Sequence, residues 1–198
     1  AVGPSGPLPG GGIHTPATMP FAVPWTAGGP PFRHRQTMQW WWRQRAEWVP
    51  EKCLLGLMVS EIGPDGERTL VGAQDVLADD FGRSRTITTG SWLGRAHQGR
   101  GLGKEMRSAV LHLAFAGLGA VRAQTSAWHD NAASTGVATS LGYRPNGDHV
   151  QLRRDVYDRQ VDFVLDRDGW EERRRTDVVI EGLDACLDLF GVQSESAS

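Results

Sequence analysis

The chain is poor in cysteine, nearly neutral and without long apolar runs. Its two cysteines, Cys53 and Cys186, stand far apart. This argues against a disulfide framework and favours a reducing compartment, although a single bridge between them stays open. The formal net charge of -2 provides no basic footprint for nucleic acid. No apolar run is long enough to span a membrane, and no signal-peptide pattern is present. We therefore expect a cytoplasmic protein that binds neither nucleic acid nor membrane.

The six histidines lack the spacing of metal ligands, so no metal site is predicted. A length of 198 residues suits one domain with a substantial core. Residues 1–12 are almost entirely Gly, Pro and small side chains, which cannot bury enough surface to order themselves. We predict a flexible lead-in over 1–12 and a single domain over 13–198.

What the chain does have is a glycine-rich turn, Gln-Gly-Arg-Gly-Leu-Gly over residues 98–103, between a β-branched run and an amphipathic helical pattern. A strand that feeds such a turn and then a helix leaves unpaired N–H groups at the helix start, where a phosphate binds. A Walker A loop is excluded because Glu105 follows Gly103-Lys104. A dinucleotide loop is excluded because its third glycine and its later acidic residue are missing.

The pattern that fits in full is Gln/Arg-x-x-Gly-x-Gly/Ala, carried by Gln98, Gly101 and Gly103. About thirty residues downstream, Asn131 and Ser134 begin a helical pattern that ends in Leu-Gly-Tyr at 141–143. The two motifs in this order resemble the GCN5-related N-acetyltransferase (GNAT) superfamily over residues 54–165. Ser134, together with the Gly-Ser-Trp-Leu run at 90–93, is similar to the RimJ/RimL-like branch, which modifies ribosomal-protein N-termini.

The resemblance implies an α/β (α+β) fold, with a mixed, mostly antiparallel central sheet flanked by helices and splayed at the acyl-CoA cleft. The residue patterns predict strands over 53–60, 69–76, 86–93, 120–125, 143–154 and 159–167. They predict helices over 32–50, 102–117, 132–141, 170–175 and 180–190, with a short strand at 178–180 as an alternative.

Three details of this pattern are specific. The turn chemistry at 63–66 makes the first two strands an antiparallel hairpin. Lys104, Arg107 and Ser108 are predicted mostly outside the apolar face of their helix. The strand with which members of the family usually open is not seen before Ile13.

The cofactor that the resemblance implies is acetyl-CoA. The N–H groups of the turn would bind its pyrophosphate, and glycine would let the backbone approach closely. The pantetheine arm would pair like an extra strand with the strand edge before the turn. Arg95 or Arg100 would add charge toward the adenosine phosphate, or else lie in a solvated loop. The predicted cofactor-binding residues are Trp92, Leu93, Gln98, Gly99, Arg100, Gly101, Leu102, Gly103, Lys104, Asn131 and Ser134.

Transfer to an amine requires a neutral amine and a stabilised leaving thiolate. The resemblance places the thioester carbonyl at the backbone N–H of Leu93, as in an oxyanion hole. Ala138 stands where many members carry the acidic Tyr. This leaves Ser134 as the hydroxyl that reaches the sulfur. The alternative is a purely structural role, in which Asp130 or Asn131 caps the helix and Ser134 lies in its first turn.

The general base is predicted to be Asp75. Relatives often carry a Glu on the strand before the turn, but the matching position here is near Thr88, which cannot serve as a base. His129 has a suitable intrinsic pKa and is an alternative. Catalysis by positioning, with water carrying the proton away, is another.

Trp25, Trp41 and Trp42 are predicted to line the amine pocket, although an aromatic stripe is more often core. Adjacent tryptophans on a helix point in different directions, so at least one should line a cavity or a homodimer contact. The predicted function is direct transfer of an acetyl group from acetyl-CoA to a primary amine, on a protein N-terminus or a small molecule. The alternatives are a catalytically silent acyl-CoA-binding sensor or scaffold, which the missing Tyr and Glu favour, and a nucleotide-binding protein.

Overall fold

A computed structural model of the protein describes residues 12–15, 17–26 and 30–192. The predicted lead-in over 1–12 lies, except for Gly12, outside these residues. The described N-terminal stretch packs onto the domain through buried Ile13 and Met19. None of the helices in the described part of the chain is both long and apolar enough to cross a lipid bilayer.

One six-stranded sheet organises the described residues, in the order β1-β2-β3-β4-β6-β5. Its strands are β1 (Lys52–Ile62), β2 (Arg68–Asp79), β3 (Thr86–Leu93), β4 (Arg122–Trp128), β5 (Arg144–Arg153) and β6 (Val156–Asp166). The β3–β4 pair is parallel and the other four pairs are antiparallel. The helices are α1 (Pro30–Ala46), α2 (Phe81–Ser84), α3 (Leu102–His112), α4 (Ala132–Ser140) and α5 (Arg167–Glu171). The predicted fold class, a mostly antiparallel sheet flanked by helices, is confirmed.

The predicted hairpin of β1 and β2 is present. The N–H of Gly66 donates to the carbonyl of Gly63 at 2.9 Å, and Gly66 has a φ of 82°, a left-handed conformation that glycine adopts without strain. This turn places β1 beside β2 in register from Lys52↔Asp79 to Ile62↔Arg68, with a bulge at Val59/Ser60.

The main core lies on one face of the sheet, under α3. Buried apolar side chains of α3 and of the turn that follows it belong to one cluster with side chains of β3, β4 and β6. The members of this group are Val110, Leu111, Ala114, Phe115, Ile87, Ala123 and Leu165. The opposite face is covered by α1, whose Trp41 ring occupies the space above Gly56, where a Cβ would overlap it.

Several predicted boundaries are wrong. Strand β6 begins at Val156 rather than at 159, because Arg154 adopts a left-handed φ of 57° and closes a hairpin of two residues. The helix predicted over 170–175 instead begins directly after β6, at Arg167, whose guanidinium donates to the carbonyls of Phe115 and Ala120.

Two more helical predictions need correction. The C-terminal helix is a 3-10 helix over Asp184–Phe190, and residues 178–180 form no strand. The helix predicted over 102–117 is α-helical to His112 and ends in a π-helical turn, Leu113–Gly117. Arg107 and Ser108 are buried, not outside the apolar face. Arg107 lies over polar groups of β2, β3 and β4, and Ser108 lines a cavity together with Leu141.

Candidate active site

The sheet splits between β3 and β4, next to the glycine-rich turn. The two strands pair at three positions, from Thr86↔Arg122 to Thr88↔Gln124. Just beyond these pairs, the hydroxyl of Thr125 donates to the carbonyl of Thr89 at 3.0 Å, and the strands then diverge. We call the space between them the wedge. It is the splay predicted for the cleft.

The wedge exposes a backbone edge of β3. The N–H of Gly94 donates to the carbonyl of Val71. This bond shows which residues of β3 direct their backbone groups toward β2. In an antiparallel pair, every second residue directs its N–H and C=O groups toward the neighbouring strand. The backbone groups of Trp92 and Gly90 therefore also point toward β2. The N–H and C=O groups of Ser91 and Leu93 therefore point toward the wedge, where β4 no longer pairs with them.

The glycine-rich turn carries a second group of free donors. In the described part of the chain, no acceptor lies against the backbone N–H groups of residues 99–103, whereas those of Lys104 and Glu105 both donate to the carbonyl of Gly101. Gly101 has a φ of 86°, and no atom of a described residue beyond its chain neighbours lies within 4 Å of where a Cβ would be. The turn is therefore an open cradle at the N-terminus of α3.

Two side chains that were predicted to bind the coenzyme, Gln98 and Arg100, form contacts with other parts of the protein. Gln98 donates from Nε2 to the carbonyls of Ile13 and Leu93, both at 2.9 Å, and so fixes the N-terminal stretch against β3. Arg100 forms a bidentate pair with Glu61 on β1, at 2.7 and 3.0 Å. Hydrogen bonding to Arg100 holds the pKa of Glu61 below its usual value. His97 Nδ1 lies 3.1 Å from the same carboxylate. These contacts brace the turn.

A cavity of about 550 Å³ opens beside the turn. It is bounded by the start of α3, the end of α4 and the segment after α5, and four of its residues are cationic. The lining residues are Arg100, Gly101, Lys104, Glu105, Ser108, Ser140, Leu141, Arg173 and Arg175. Three of the four cations are paired with carboxylates, Arg100 with Glu61, Arg173 with Glu172, and Arg175 with Glu105 and Asp177. Lys104 has no carboxylate partner among the described residues and can receive an anionic ligand.

The start of α4 forms the other wall of the wedge. A Cβ at Gly103 would lie 3.6 Å from both Leu93 Cδ1 and Val137 Cγ2, so β3, α3 and α4 converge there. Asn131 caps α4 by accepting the N–H of Ser134 at 3.1 Å. Ser134 lies three residues before Val137 and thus on the same face of α4.

On the opposite face of the sheet, Asp75 lies between two glycines. The register places it across from Gly56 on β1 and from Gly90 on β3. Above Gly56 lies the Trp41 ring, whereas no atom of a described residue beyond its chain neighbours lies within 4 Å of a Cβ position at Gly90. We call this space the Gly90 hollow. The buried Asp75 Oδ1 has no hydrogen-bond partner among the described residues, and burial raises its pKa from 3.8 to about 6.

An aromatic group adjoins the Gly90 hollow. Trp92 lies two residues from Gly90 on the same face of β3, about 7 Å along the strand. Its ring centroid is 5.9 Å from that of Trp25, which is 5.1 Å from that of Phe21. Trp42 is 60 % exposed and points away from Trp41 around α1. The structure thus brings Trp25 and Trp41, but not Trp42, to this region.

The alternative base, His129, directly follows β4, and its ring faces Asp158. Its Nε2 is 3.7 Å from the Asp158 carboxylate, and its side chain is 41 % exposed. Among the described residues, no three His, Cys, Asp or Glu side chains come together as metal ligands would.

Two residues at the wedge were missed by sequence reasoning. Ser91 is exposed at the wedge, and Arg107 reaches it from α3 beneath. The alternation along β3 could have identified Ser91, because it shares its edge with Leu93. No periodic signal marks Arg107.

Comparisons with known proteins agree with this geometry. A sequence model of a family described as "Acetyltransferase (GNAT) domain" matches residues 13–144. A solved structure described as a "putative ribosomal-protein-serine acetyltransferase" from Vibrio cholerae superposes with a TM-score of 0.56 at 22% identity, over 67% of this chain and 75% of that chain. A variant of spermidine N-acetyltransferase from Vibrio cholerae superposes with a TM-score of 0.59 at 12% identity, over 71% and 79%. At these identities the structures share the fold.

Proposed function

The chain belongs to the GNAT acetyltransferase family, and on that premise we propose that it transfers an acetyl group from acetyl-CoA directly to a primary amine. The observation that carries the proposal is two groups of free donors on one side of the wedge, the N–H groups of Ser91 and Leu93 on the β3 edge and those of residues 99–103 in the turn. Coenzyme A carries amides at one end of its arm and a diphosphate at the other. The amides match the β3 edge, and the diphosphate matches the N–H groups of the turn.

The described residues fit this coenzyme. The N–H groups of 99–103 and the dipole of α3 would bind the diphosphate, and the open Cβ position at Gly101 leaves room for it. Lys104 and Arg173 would contribute charge for the phosphoadenosine part in the adjoining cavity. Arg100 acts here by bracing the turn through Glu61.

The thioester belongs beside the free edge of β3. Pantetheine amides pair with the N–H and C=O groups of such an edge as a further strand would. The N–H of Leu93, or that of Ser91 on the same edge, then polarises the acyl carbonyl. When bound, the coenzyme supplies an activated acyl group on sulfur, and the protein supplies its orientation.

Asp75 is the proposed general base. Its carboxylate faces the Gly90 hollow on the side of β3 away from α3, and a pKa of about 6 leaves it mostly ionised at neutral pH yet able to accept a proton. A carboxylate beside the aromatic rings of Trp25 and Trp92 also suits an approaching ammonium group. The amine therefore enters through the Gly90 hollow.

The acceptor that we propose first is the N-terminal amine of a protein, as in the RimJ/RimL-like branch that the motifs at 90–93 and 131–134 resemble. A small-molecule amine is the second candidate. Both need the same contact with Asp75 and differ in what lies beyond the amine.

Filling the Gly90 hollow should block the acceptor without blocking the coenzyme. Gly90→Val adds branched bulk where no described atom lies within 4 Å of the Cβ position, and valine suits a strand. We expect kcat/KM for the amine to fall about tenfold to a hundredfold, the range for misplaced reactants, while acetyl-CoA affinity stays within about threefold. Steady-state kinetics and a coenzyme titration would measure both. Equal loss of both functions would contradict this placement of the amine.

Ser134 is the hydroxyl on α4 that faces the wedge, and we propose that it stabilises the leaving thiolate. Ser134→Ala keeps the backbone N–H that Asn131 caps, so α4 should stay intact. We expect kcat to fall about tenfold with little change in the dissociation constant for acetyl-CoA. Unchanged kcat would leave Ser134 as a residue of the first helical turn only.

An amine panel tests the proposed function itself. Release of free thiol from acetyl-CoA would be followed with peptides that carry free N-termini, polyamines and small aromatic amines, and the acetylated product identified by mass spectrometry. We expect thiol release and amide formation in equal amounts with at least one class. Binding of acetyl-CoA without thiol release on any amine would favour the catalytically silent module.

A further inference from the structure

Arg107 is a buried cation whose hydrogen-bond partners are all neutral. It is 4 % exposed. It donates from Nε to Gln74 Oε1 at 3.4 Å, from Nη1 to Thr125 Oγ1 at 3.2 Å and from Nη2 to Ser91 Oγ at 3.0 Å. Among the described residues, no Asp or Glu carboxylate pairs with it.

An uncompensated buried charge is costly, so its position needs a reason. Burial lowers the pKa of Arg107, and the nearby Tyr143 hydroxyl opposes that shift, but a guanidinium stays charged at any working pH. Its partners come from β2, β3 and β4, so the charge lies across the point where the sheet divides. A negative charge that forms in the wedge would be stabilised there.

Ser91 connects this charge to the wedge. Its side chain is exposed although it lies on an inner strand. Because its Oγ accepts a hydrogen bond from Arg107, its own proton is available to another acceptor. Its backbone N–H belongs to the free edge. A thioester aligned on that edge would place its sulfur close to this hydroxyl.

Resting on the proposed acetyl transfer, we propose that Ser91 and Arg107 stabilise the leaving group: Ser91 Oγ donates a hydrogen bond to the coenzyme A sulfur as its bond to the acyl carbon breaks, and the Arg107 charge stabilises the thiolate. Ser91 contacts the reacting atoms and is a catalytic residue in this account. Arg107 acts through Ser91 and by its charge, and is a positioning residue.

The step balances. The lone pair of the neutral amine forms the new C–N bond, and the C–S bond breaks with its electron pair retained on sulfur. The proton that the nitrogen loses goes to the Asp75 carboxylate and from there to water. The thiolate leaves with the coenzyme and takes a proton from solvent.

The arrangement assigns opposite charges to the two faces of β3. Asp75 lies across from Gly90 on the face covered by α1, and Arg107 meets the neighbouring Ser91 on the face covered by α3. The amine would lose its proton on the first face, and the thiolate would form against the second.

The test measures the thiol pKa of coenzyme A bound to the full chain, from the ultraviolet absorbance of its thiolate. We expect binding to the wild type to lower that pKa by about one unit, as a nearby cation does. Ser91→Ala and Arg107→Gln should each reverse a large part of the shift, the rest being due to the Ser134 hydroxyl, whereas Arg107→Lys should retain more of it. The matched control is Ser60→Ala, an exposed serine on β1 outside the site.

Kinetics provide the second measurement. Ser91→Ala should lower kcat about tenfold to a hundredfold, with the acetyl-CoA dissociation constant within about threefold of wild type. If Arg107→Gln fails to fold, Ser91→Ala and Arg107→Lys still decide the outcome, because Ser91 is exposed and Arg107→Lys keeps the buried positive charge.

The possible failures are distinguishable. Wild-type protein that binds no coenzyme A would contradict the proposed function as a whole. Normal binding with an unshifted thiol pKa, and full kcat in Ser91→Ala, would contradict only this inference. Faster turnover of succinyl-CoA than of acetyl-CoA that depends on Arg107, again with an unshifted thiol pKa, would overturn it by assigning the charge to an acyl carboxylate.

Discussion

Replacing Asp75 by Asn should abolish most amine acetylation and make the protein more stable. The amide cannot accept the proton that the amine must lose, and loss of a general base costs about a hundredfold to ten-thousandfold in rate. In the wild type, the amine-dependent kcat/KM should fall as the pH drops below about 6, because the Asp75 carboxylate, whose pKa burial raises to about 6, becomes protonated. The inflection near pH 6 should disappear in the residual activity of Asp75→Asn, which should keep only the decline caused by protonation of the amine itself.

The stability effect has a definite sign. Burial raises the Asp75 pKa from 3.8 to about 6, so the folded protein favours the protonated acid. That stabilising contribution is fully present below pH 3.8 and is lost as the pH rises through about 6. Above this window, the ionised carboxylate costs about 3 kcal/mol. Asp75→Asn should therefore raise the free energy of unfolding at pH 8 by up to about that amount, and much less at pH 4.

Denaturant unfolding at the two pH values and a pH series of kcat/KM would measure these effects. Asp79→Asn is the matched control, since it removes an exposed carboxylate at the end of the same strand. Full activity in Asp75→Asn, with the inflection near pH 6 retained, would exclude Asp75 as the base and return the choice to His129 or to water.

Replacing Gly101 by Glu should remove coenzyme binding. The Cβ position at Gly101 opens onto the cradle of free N–H groups, so the new carboxylate would lie where the diphosphate binds. Two like charges about 4 Å apart near a protein surface repel by about 4 kcal/mol, which corresponds to about a thousandfold in affinity. Calorimetric titration with acetyl-CoA would measure the loss.

Gly66→Glu provides a close control for that experiment. Gly66 has a φ of 82° against 86° at Gly101, and neither Cβ position has a described atom beyond its chain neighbours within 4 Å. Both variants should lose about 1–2 kcal/mol of stability from a left-handed non-glycine residue. Only Gly101→Glu should lose the coenzyme. Equal acetyl-CoA affinity in the two variants would contradict the assignment of the cradle.

Local signals in the sequence were enough to predict the strand and the helix starts that surround this site. The bounds of β3, 86–93, match the prediction, because Thr and Ile over that stretch favour a strand and the glycines end it. The start of α3 at Leu102 and the Asn131 cap of α4 also follow from residues a few positions apart. Predictions of this kind depend on turn and cap chemistry, which is local.

What the sequence could not indicate depends on contacts between distant segments. Gln98 reaches the carbonyl of Ile13, and Arg100 reaches Glu61, so neither side chain is free for a phosphate. Arg107 interrupts the apolar face of its helix in a way that periodicity would assign to solvent. It is buried because the divergence of β3 and β4 exposes polar groups beneath α3.

The same limit applies to Asp75. In the sequence, nothing distinguishes Asp75 from other carboxylates in or near predicted strands. Its raised pKa comes from burial, and the residues across from it, Gly56 under the Trp41 ring and Gly90, belong to other strands. None of these is near Asp75 along the chain.

The most direct test of the account is amide hydrogen exchange, resolved by residue, with and without acetyl-CoA. The predicted result is slower exchange at Ser91 and Leu93 and across residues 99–103, with no change at Gly66 in the distant hairpin turn. Coenzyme binding that leaves the amides of Ser91, Leu93 and the turn unprotected would contradict it.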